Sequence, residues 1–427
     1  MKTINIGLIG FGTVGSGVAE YLLKNASELR GKTGFNFKLL KIAEKDRKKV
    51  PTKYRNLLVS DIKKVTNGSD VDVVIELIGG INPAKSYIIS ALKNKKHVIT
   101  ANKALLAEYG ESLFKIAKEE NVLLKFEASV GGGIPIISSL EDSLIANKIE
   151  SILGIVNGTS NYILTIMEEE RISMAGALAI ARSKGYVEKN PLLDLEGIDS
   201  VHKLAILIKL AFGFTPKLSQ IYHEGISRIS DLDIKYALES GYRIKLLAVA
   251  KKKSKDTIEV RVHPALLPIT HMLSSVRGVF NAIYIKGDLV GEVVFYGQGA
   301  GKMPTTSAVI ADVVELAQYV GNSSCIQHKS SSLKPLMLGN IKDLSSRYYI
   351  RFMAVDKPGV LAKISGILGT YNIGIASVTQ KERGLAKSVP IVMMTHEANE
   401  MSMKKALERI ERLKVITNKP VYIRVEV

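Results

Sequence analysis

Apolar and polar positions along this chain switch repeatedly between two periods. Residues 4–10 read as a short buried strand and 14–23 as a helix, joined by Gly10-Phe11-Gly12-Thr13-Val14-Gly15. Residues 37–43, 71–77 and 97–100 repeat the strand pattern. Residues 83–93 are helical, with Pro83 at a first-turn position. Residues 121–130 read as a further strand running into Gly131-Gly132-Gly133. Another strand is expected at 151–157, then helices at 161–170 and 173–184 with Gly185 as the C-cap. Beyond residue 244 the rhythm changes. Residues 244–250, 257–263, 282–286 and 289–296 read as antiparallel strands, with Lys286-Gly287-Asp288 as turn chemistry between the last two. A second glycine-rich loop, Gly297 to Pro304, opens a long helix at 306–320.

The last eighty or so residues spell strand, Pro-Gly turn, helix, strand, strand, helix, strand. That βαββαβ order is ferredoxin-like. The fold class is therefore α/β: an N-terminal Rossmann-type dinucleotide-binding domain, an α+β mixed-sheet domain and a C-terminal ferredoxin-like domain. The expected boundaries are 1–130 plus 303–322, where the long helix returns to the first domain; 131–302; a linker at 328–346; and 347–427.

Composition narrows the chemistry. At 427 residues the length agrees with about three domains. Cys325 is the one cysteine, which excludes an intrachain disulfide and a cysteine-ligated zinc site and favours a reducing, cytoplasmic setting. The opening MKTINIGLIGFGTVG does not read as a signal peptide, and Lys209 interrupts the longest apolar run, so no membrane role is expected. The net charge of +18 comes from 59 Lys and Arg against 41 Asp and Glu. It is compatible with a solvated surface, with attraction of anionic ligands, or with nucleic acid. The basic clusters KDRKK, KNKK and KKKSK are scattered and carry no interleaved aromatics, so the solvated surface leads and no nucleic-acid partner is expected.

The strand before and helix after Gly10–Gly15 place GxGxxG where a dinucleotide pyrophosphate rests on a helix N-terminus. A tight turn with no ligand is the plainer alternative. The second strand ends in Glu44, Lys45, Asp46, Arg47, Lys48 and Lys49. An acid there suits the ribose of NAD and a base the 2′-phosphate of NADP; both are present, and the basic excess tilts toward NADP. Lys103 stands at the carboxyl end of a strand, where open α/β sheets bind ligands. The densest chemistry is at 185–203, GYVEKNPLLDLEGIDSVHK. If Asp199 opens a helix, Lys203 shares its face one turn on. The pair serves either as a capped helix start with an ordinary ion pair or as a positioned proton donor. His202 and His223 read as packed or surface histidines.

These separated motifs together resemble the homoserine dehydrogenase family across essentially the whole chain. The matching segments are GFGTVG (10–15), NKALLA (102–107), EASVGGGIP (127–135), NGTSNYI (157–163), the 185–203 stretch and GQGAGKMPTTSAVIADV (297–313). The tail, with DKPGVL (356–361) and NIGI (372–375), resembles an ACT domain. The resemblance implies NAD(P)-dependent interconversion of L-homoserine and L-aspartate 4-semialdehyde, in the biosynthesis of threonine, methionine and isoleucine. It makes 131–302 a substrate-binding and dimerisation domain and 347–427 a regulatory one. It implies that Gly10, Phe11, Gly12, Thr13, Val14, Gly15, Lys103, Gly185 and Gly301 meet the dinucleotide. Lys103, Glu188 and Asp199 bind substrate; Lys203 is the proton donor, with Asp199 and Lys103 as its catalytic companions. Glu127, Val130, Gly132 and Ile134 form a monovalent-cation site, with Na+ expected. A homodimer or higher homo-oligomer and an amino-acid effector, threonine by analogy, complete the implied picture.

Aldehyde reduction places charge on oxygen, which a lysine ammonium stabilises and protonates, so no covalent nucleophile is needed. Thiolate chemistry on the same semialdehyde is disfavoured, because Cys325 lies beside the linker. A non-catalytic dinucleotide and amino-acid sensor is the alternative of another class. It would need the glycine loop and the tail but not Lys103, Glu188, Asp199 and Lys203.

Overall fold

The computed structural model describes residues 2–187, 191–320, 336–381 and 388–426. Two compact units divide the chain: Met1–Ile149, His202–Ser219 and Asn281–Pro335 form one, and Glu150–Val201, Gln220–Phe280 and Leu336–Val427 the other.

In the first unit, β1 (Thr3–Ile9), β2 (Asn36–Ala43), β3 (Leu58–Val59), β4 (Val73–Glu76), β5 (His97–Thr100) and β6 (Leu124–Lys125) form a six-stranded sheet in the order β3-β2-β1-β4-β5-β6. Every pairing is parallel. Parallel strands are covered on both faces, so they read as unbroken apolar runs, and Ile4, Ile6, Leu8, Val73 and Ile75 are fully buried. The returning helix Lys302–Ala317 adds Val309, Val313 and Leu316 to this core. It lies so close to the helix Thr13–Lys24 that a Cβ on Gly17 would sit 2.3 Å from Thr306 Oγ1.

The strand expected over 121–130 is shorter than its pattern. β6 ends at Lys125 and a 3-10 turn covers Glu127–Ser129. The Glu127 carboxylate accepts from the Ile137 and Ser138 N–H groups at 2.9 and 2.8 Å, which bends the chain away from the sheet.

In the second unit the numbering continues with β7 (Ile149–Ile155), β8 (Tyr222–His223), β9 (Tyr242–Lys252) and β10 (Thr257–Pro268). The hairpin β11 (Phe280–Gly287) and β12 (Gly291–Gln298) falls to the first unit from Asn281 onward, and the second unit resumes with β13 (Met337–Leu338), β14 (Ser345–Ser346) and β15 (Tyr348–Ala354). The last strands are β16 (Ile375–Thr379), β17 (Val389–Thr395), β18 (Ala398–Asn399) and β19 (Ile416–Val425). With helices Val360–Thr370 and Glu400–Glu411, the C-terminal part realises the expected βαββαβ order.

That part does not stand alone. β9 and β10 pair antiparallel along their whole length, and β19 then adds to β10 in parallel through Ala265–Arg424 and Leu266–Val425. The strand order β7-β9-β10-β19-β15-β17-β16 makes one continuous sheet of this unit. A helix at Asp231–Glu239 was not expected from the pattern; a capping box of Ser230 and Asp233 starts it. The described part of 328–346 holds β13 and β14 and a 3-10 turn at Ile341–Asp343.

Candidate active site

The first glycine loop divides its labour by position. Gly10 has φ +95°, and a Cβ there would press on the Leu77 carbonyl at 2.8 Å. A Cβ on Gly15 would meet the Gly10 oxygen at 2.1 Å, so only glycine lets strand and helix close. Gly12 faces nothing within 4 Å. It is the N-cap of the helix Thr13–Lys24, where no side chain caps the end among the described residues and the first turn has no acid. An open glycine face beside helix amides is an anion cradle. A groove of about 420 Å³ runs along it, lined by Phe11, Thr13, Ser16, Lys49, Lys53 and Tyr54 among others. Glu44, at the end of β2, bonds to the Phe11 N–H at 2.8 Å and the Asp46 N–H at 3.0 Å.

The carboxyl edge of the sheet is set by a residue the pattern did not single out. Glu76 is fully buried at the end of β4 and accepts from Ile78 N–H at 2.7 Å, Gly79 N–H at 3.3 Å and the Thr100 hydroxyl at 2.6 Å. Thr100 accepts in turn from Asn102 N–H, and Asn102 caps the helix Lys103–Glu119 through Leu105 N–H at 3.2 Å. Lys103 therefore occupies the first helical position on a braced turn.

The triple glycine and the second glycine loop exist for each other. Gly131 and Gly132 have φ +75° and +60°, and a Cβ on Gly132 would lie 2.6 Å from the Gly299 carbonyl. Gly133 N–H donates to the Gln298 oxygen at 3.1 Å. Beside this turn, Glu127 N–H donates to Asp312 Oδ2 at 3.0 Å. Burial, with the Glu127 charge added, pushes the Asp312 carboxyl well above its ordinary range. Burial also raises Glu127. The Ser129 hydroxyl is buried without a hydrogen-bond partner among the described residues.

In the second unit, Asn157 caps the helix Gly158–Glu170 and its carboxamide nitrogen donates to Asp194 Oδ1 at 2.7 Å and Asp199 Oδ2 at 2.9 Å. Asp199 stands in the first turn of the helix Ile198–Phe212, and Lys203 follows one turn later on the same helix. Both are buried. Gly185, at φ +73°, follows the helix Met174–Ser183, and Thr159 Oγ1 ties the next residue, Tyr186, by its carbonyl at 2.9 Å. Gly10–Gly15, Lys103, Lys203, Gly301 and the 127–134 turn belong to the first unit, and Gly185 and Asp199 to the second. Glu188 lies outside the described residues. Asn157, Glu76 and Asp312 are absent from the expected site. Asn157 alone carried a signal, an N-cap residue directly after a strand.

A parallel six-stranded sheet with an open glycine turn at its first helix, followed by a mixed-sheet part and a ferredoxin-like tail, is the architecture of a NAD(P)-dependent α/β oxidoreductase. Residues 135–314 match the profile described as Homoserine dehydrogenase, residues 10–127 its NAD binding domain and residues 348–415 the ACT domain. The chain belongs to the homoserine dehydrogenase family. Homoserine dehydrogenases of Neisseria gonorrhoeae and Helicobacter pylori are each 42% identical to it, covering 100% of this chain and 99% of the relative. The crystal structure of a homoserine dehydrogenase from Thiobacillus denitrificans is similar with TM-score 0.93 at 39% identity, covering 100% of this chain and 99% of that one. A hyperthermophilic archaeal homoserine dehydrogenase in complex with NADPH is similar with TM-score 0.64 at 26% identity, covering 74% and 98%. The activity is the NAD(P)-dependent interconversion of L-homoserine and L-aspartate 4-semialdehyde by hydride transfer, in the biosynthesis of aspartate-derived amino acids. Among the described residues no helix is long and apolar enough to cross a membrane.

Proposed function

We propose that Lys203 is the general acid–base of this reaction and that Asp199 holds the substrate hydroxyl region for it. The bound nicotinamide supplies or accepts the hydride at the substrate carbon. As charge gathers on the aldehyde oxygen, the Lys203 ammonium stabilises it and transfers its proton; in the oxidative direction the free amine takes the hydroxyl proton. Lys103 contacts cofactor and substrate, and Glu188 binds the substrate amino group. The observation that supports this reading most is the buried Asp199 carboxylate, held by Asn157 at 2.9 Å on the helix that carries Lys203. Homoserine-dependent reduction of NADP and NAD tests it. K203A is expected to lose kcat by at least ~10² with KM little changed. A loss confined to KM would make Lys203 a binding residue instead.

The preferred cofactor is NADP. Lys49 and Lys53 line the groove beside the glycine loop, while the acid at the end of β2, Glu44, is engaged by two backbone amides. The cradle residues are Gly10, Phe11, Gly12, Thr13, Val14 and Gly15, with Lys103, Gly185 and Gly301. Parallel titration with NADH and NADPH checks the preference. Glu127, Val130, Gly132 and Ile134 are assigned to a monovalent cation such as Na+. The positive-φ turn at Gly131 and Gly132, the raised carboxyl of Glu127 and the unpartnered Ser129 hydroxyl fit a small cation. It would brace the turn through backbone oxygens. The same reading takes 1–130 with 303–322 as the dinucleotide domain, 131–302 as the substrate and dimerisation domain, 328–346 as the linker and 347–427 as the ACT domain. It includes a homodimer or higher homo-oligomer, a cytoplasmic setting and threonine as the ACT effector.

A further inference from the structure

One carboxamide near the proposed proton chemistry has no assigned role. Asn157 follows β7 in extended backbone, φ −123° and ψ 110°, and its Oδ1 accepts from the Ser160 N–H at 2.8 Å. That bond decides which end of the amide is which: the oxygen faces the helix and the NH₂ faces away from it. Both N–H bonds then point at acids, Asp194 Oδ1 at 2.7 Å and Asp199 Oδ2 at 2.9 Å. Ser160 Oγ donates to the Asp194 carbonyl at 2.8 Å, so the same cap turn grips Asp194 by side chain and main chain. Asn157 and Asp199 are each 6% exposed, so water does not substitute freely for these bonds.

We infer that Asn157 is a positioning residue for the reaction: its carboxamide sets the separation of the Asp194 and Asp199 carboxylates and turns Asp199 toward the substrate hydroxyl. This rests on the role proposed above for Asp199. Two carboxylates drawn to one point repel each other, and two donors on a single neutral nitrogen compensate both at once. A cap alone would not ask for this group. Ser, Thr and Asp cap helices as well as Asn, but none of them offers two donors. Asn157 lies 37 residues before Asp194 and 42 before Asp199, so the clamp also joins the start of one helix to the start of another.

The choice of variants separates capping from positioning. N157S and N157D both keep an oxygen to cap Ser160 N–H; N157S loses the double donor, and N157D replaces it with acceptors. Purified full-length variants are compared with wild type by thermal melting, dinucleotide affinity and steady-state kinetics. The expected result is a folded protein with a lowered melt but unchanged cofactor affinity, kcat lowered about 10-fold or more in N157S and about 100-fold or more in N157D, and little change in homoserine KM. If N157D does not fold, N157S carries the test. Folded variants with kcat within about twofold of wild type would overturn the inference. A cycle with D199A adds a readout that a structural cap would not move: N157S should cost little further in that background, and multiplying losses would refute action through Asp199. Wild-type kcat in D199A itself would instead remove the role proposed for Asp199, and this inference with it.

Discussion

Two seams in this protein join strands by opposite means. β1 meets β4 with Ile6 opposite Val73 and Leu8 opposite Ile75, all fully buried. β10 meets β19 with Ala265 opposite Arg424 and Leu266 opposite Val425, and on the β19 side Arg424 and the next-but-one residue, Glu426, are buried charges. Arg424, fully buried, binds Glu400 through Nε at 2.9 Å and Glu224 through Nη1 at 2.8 Å. Glu426 pairs with Arg261 and Lys251, and Arg351 makes a two-pronged contact with Asp233 at 2.7 and 2.9 Å. The apolar seam asks only for volume and pattern, because burial is non-directional. The charged seam asks for particular partners, since each buried charge costs several kcal/mol unless matched. One seam builds a general sheet; the other ties one particular C-terminal part to one particular sheet edge.

The largest expected break is Arg424→Ala, which takes the guanidinium from Glu400 and Glu224 and leaves Glu400 to Tyr348 and Lys404 and Glu224 to Tyr222 and Tyr422. A loss of about 3–5 kcal/mol is expected, read by denaturant unfolding with hydrogen exchange resolving the 336–426 region. The double change R424M/E400L removes both buried charges together and should recover at least half of that loss; no recovery would show that the seam depends on more than charge matching. Next comes Ile75→Ala in the apolar seam, expected to cost about 2–5 kcal/mol, whereas Ile75→Val should cost only about 1 kcal/mol. A loss in Ile75→Val as large as in Ile75→Ala would contradict the tolerance claimed for that seam.

Acid separates the two regions by a smaller effect. Burial lowers His97 from 6.5 to about 4, and its Nδ1 accepts from Leu123 N–H at 3.1 Å, so the ring is needed neutral. Its contribution is complete above pH 6.5 and lost as pH falls toward 4. For Glu224, burial would raise the carboxyl from 4.5, but the Arg424 guanidinium prevails and holds it at about 2. That contribution is complete above pH 4.5 and lost toward pH 2. Leu123 should therefore lose hydrogen-exchange protection at a higher pH than Val425 and Glu426. The reverse order would refute the comparison.

Much of this was legible beforehand. The first sheet, its glycine loop and the C-terminal βαββαβ order follow from local period and from glycines whose turns have positive φ. The 121–130 strand was too long in prospect because a period cannot show that Glu127 will take amides ten residues ahead. The Asp231–Glu239 helix was missed because its apolar stripe is weak and its cap, Ser230 with Asp233, carries the start. Of the candidate site, the residue types were visible in 185–203, but not what holds them.

The division has a physical cause. Strand, glycine loop and helix are decided within a few residues, by side-chain period and backbone sterics, so the sequence by itself determined the class of fold and the place of its first glycine loop. Backbone packed on backbone, as at Gly132 against Gly299, needs partners far apart in the chain. So does Arg261 with Glu426, 165 residues away, or Asn157 with its two acids. Such pairs leave no periodic trace, and only the tertiary structure decided them.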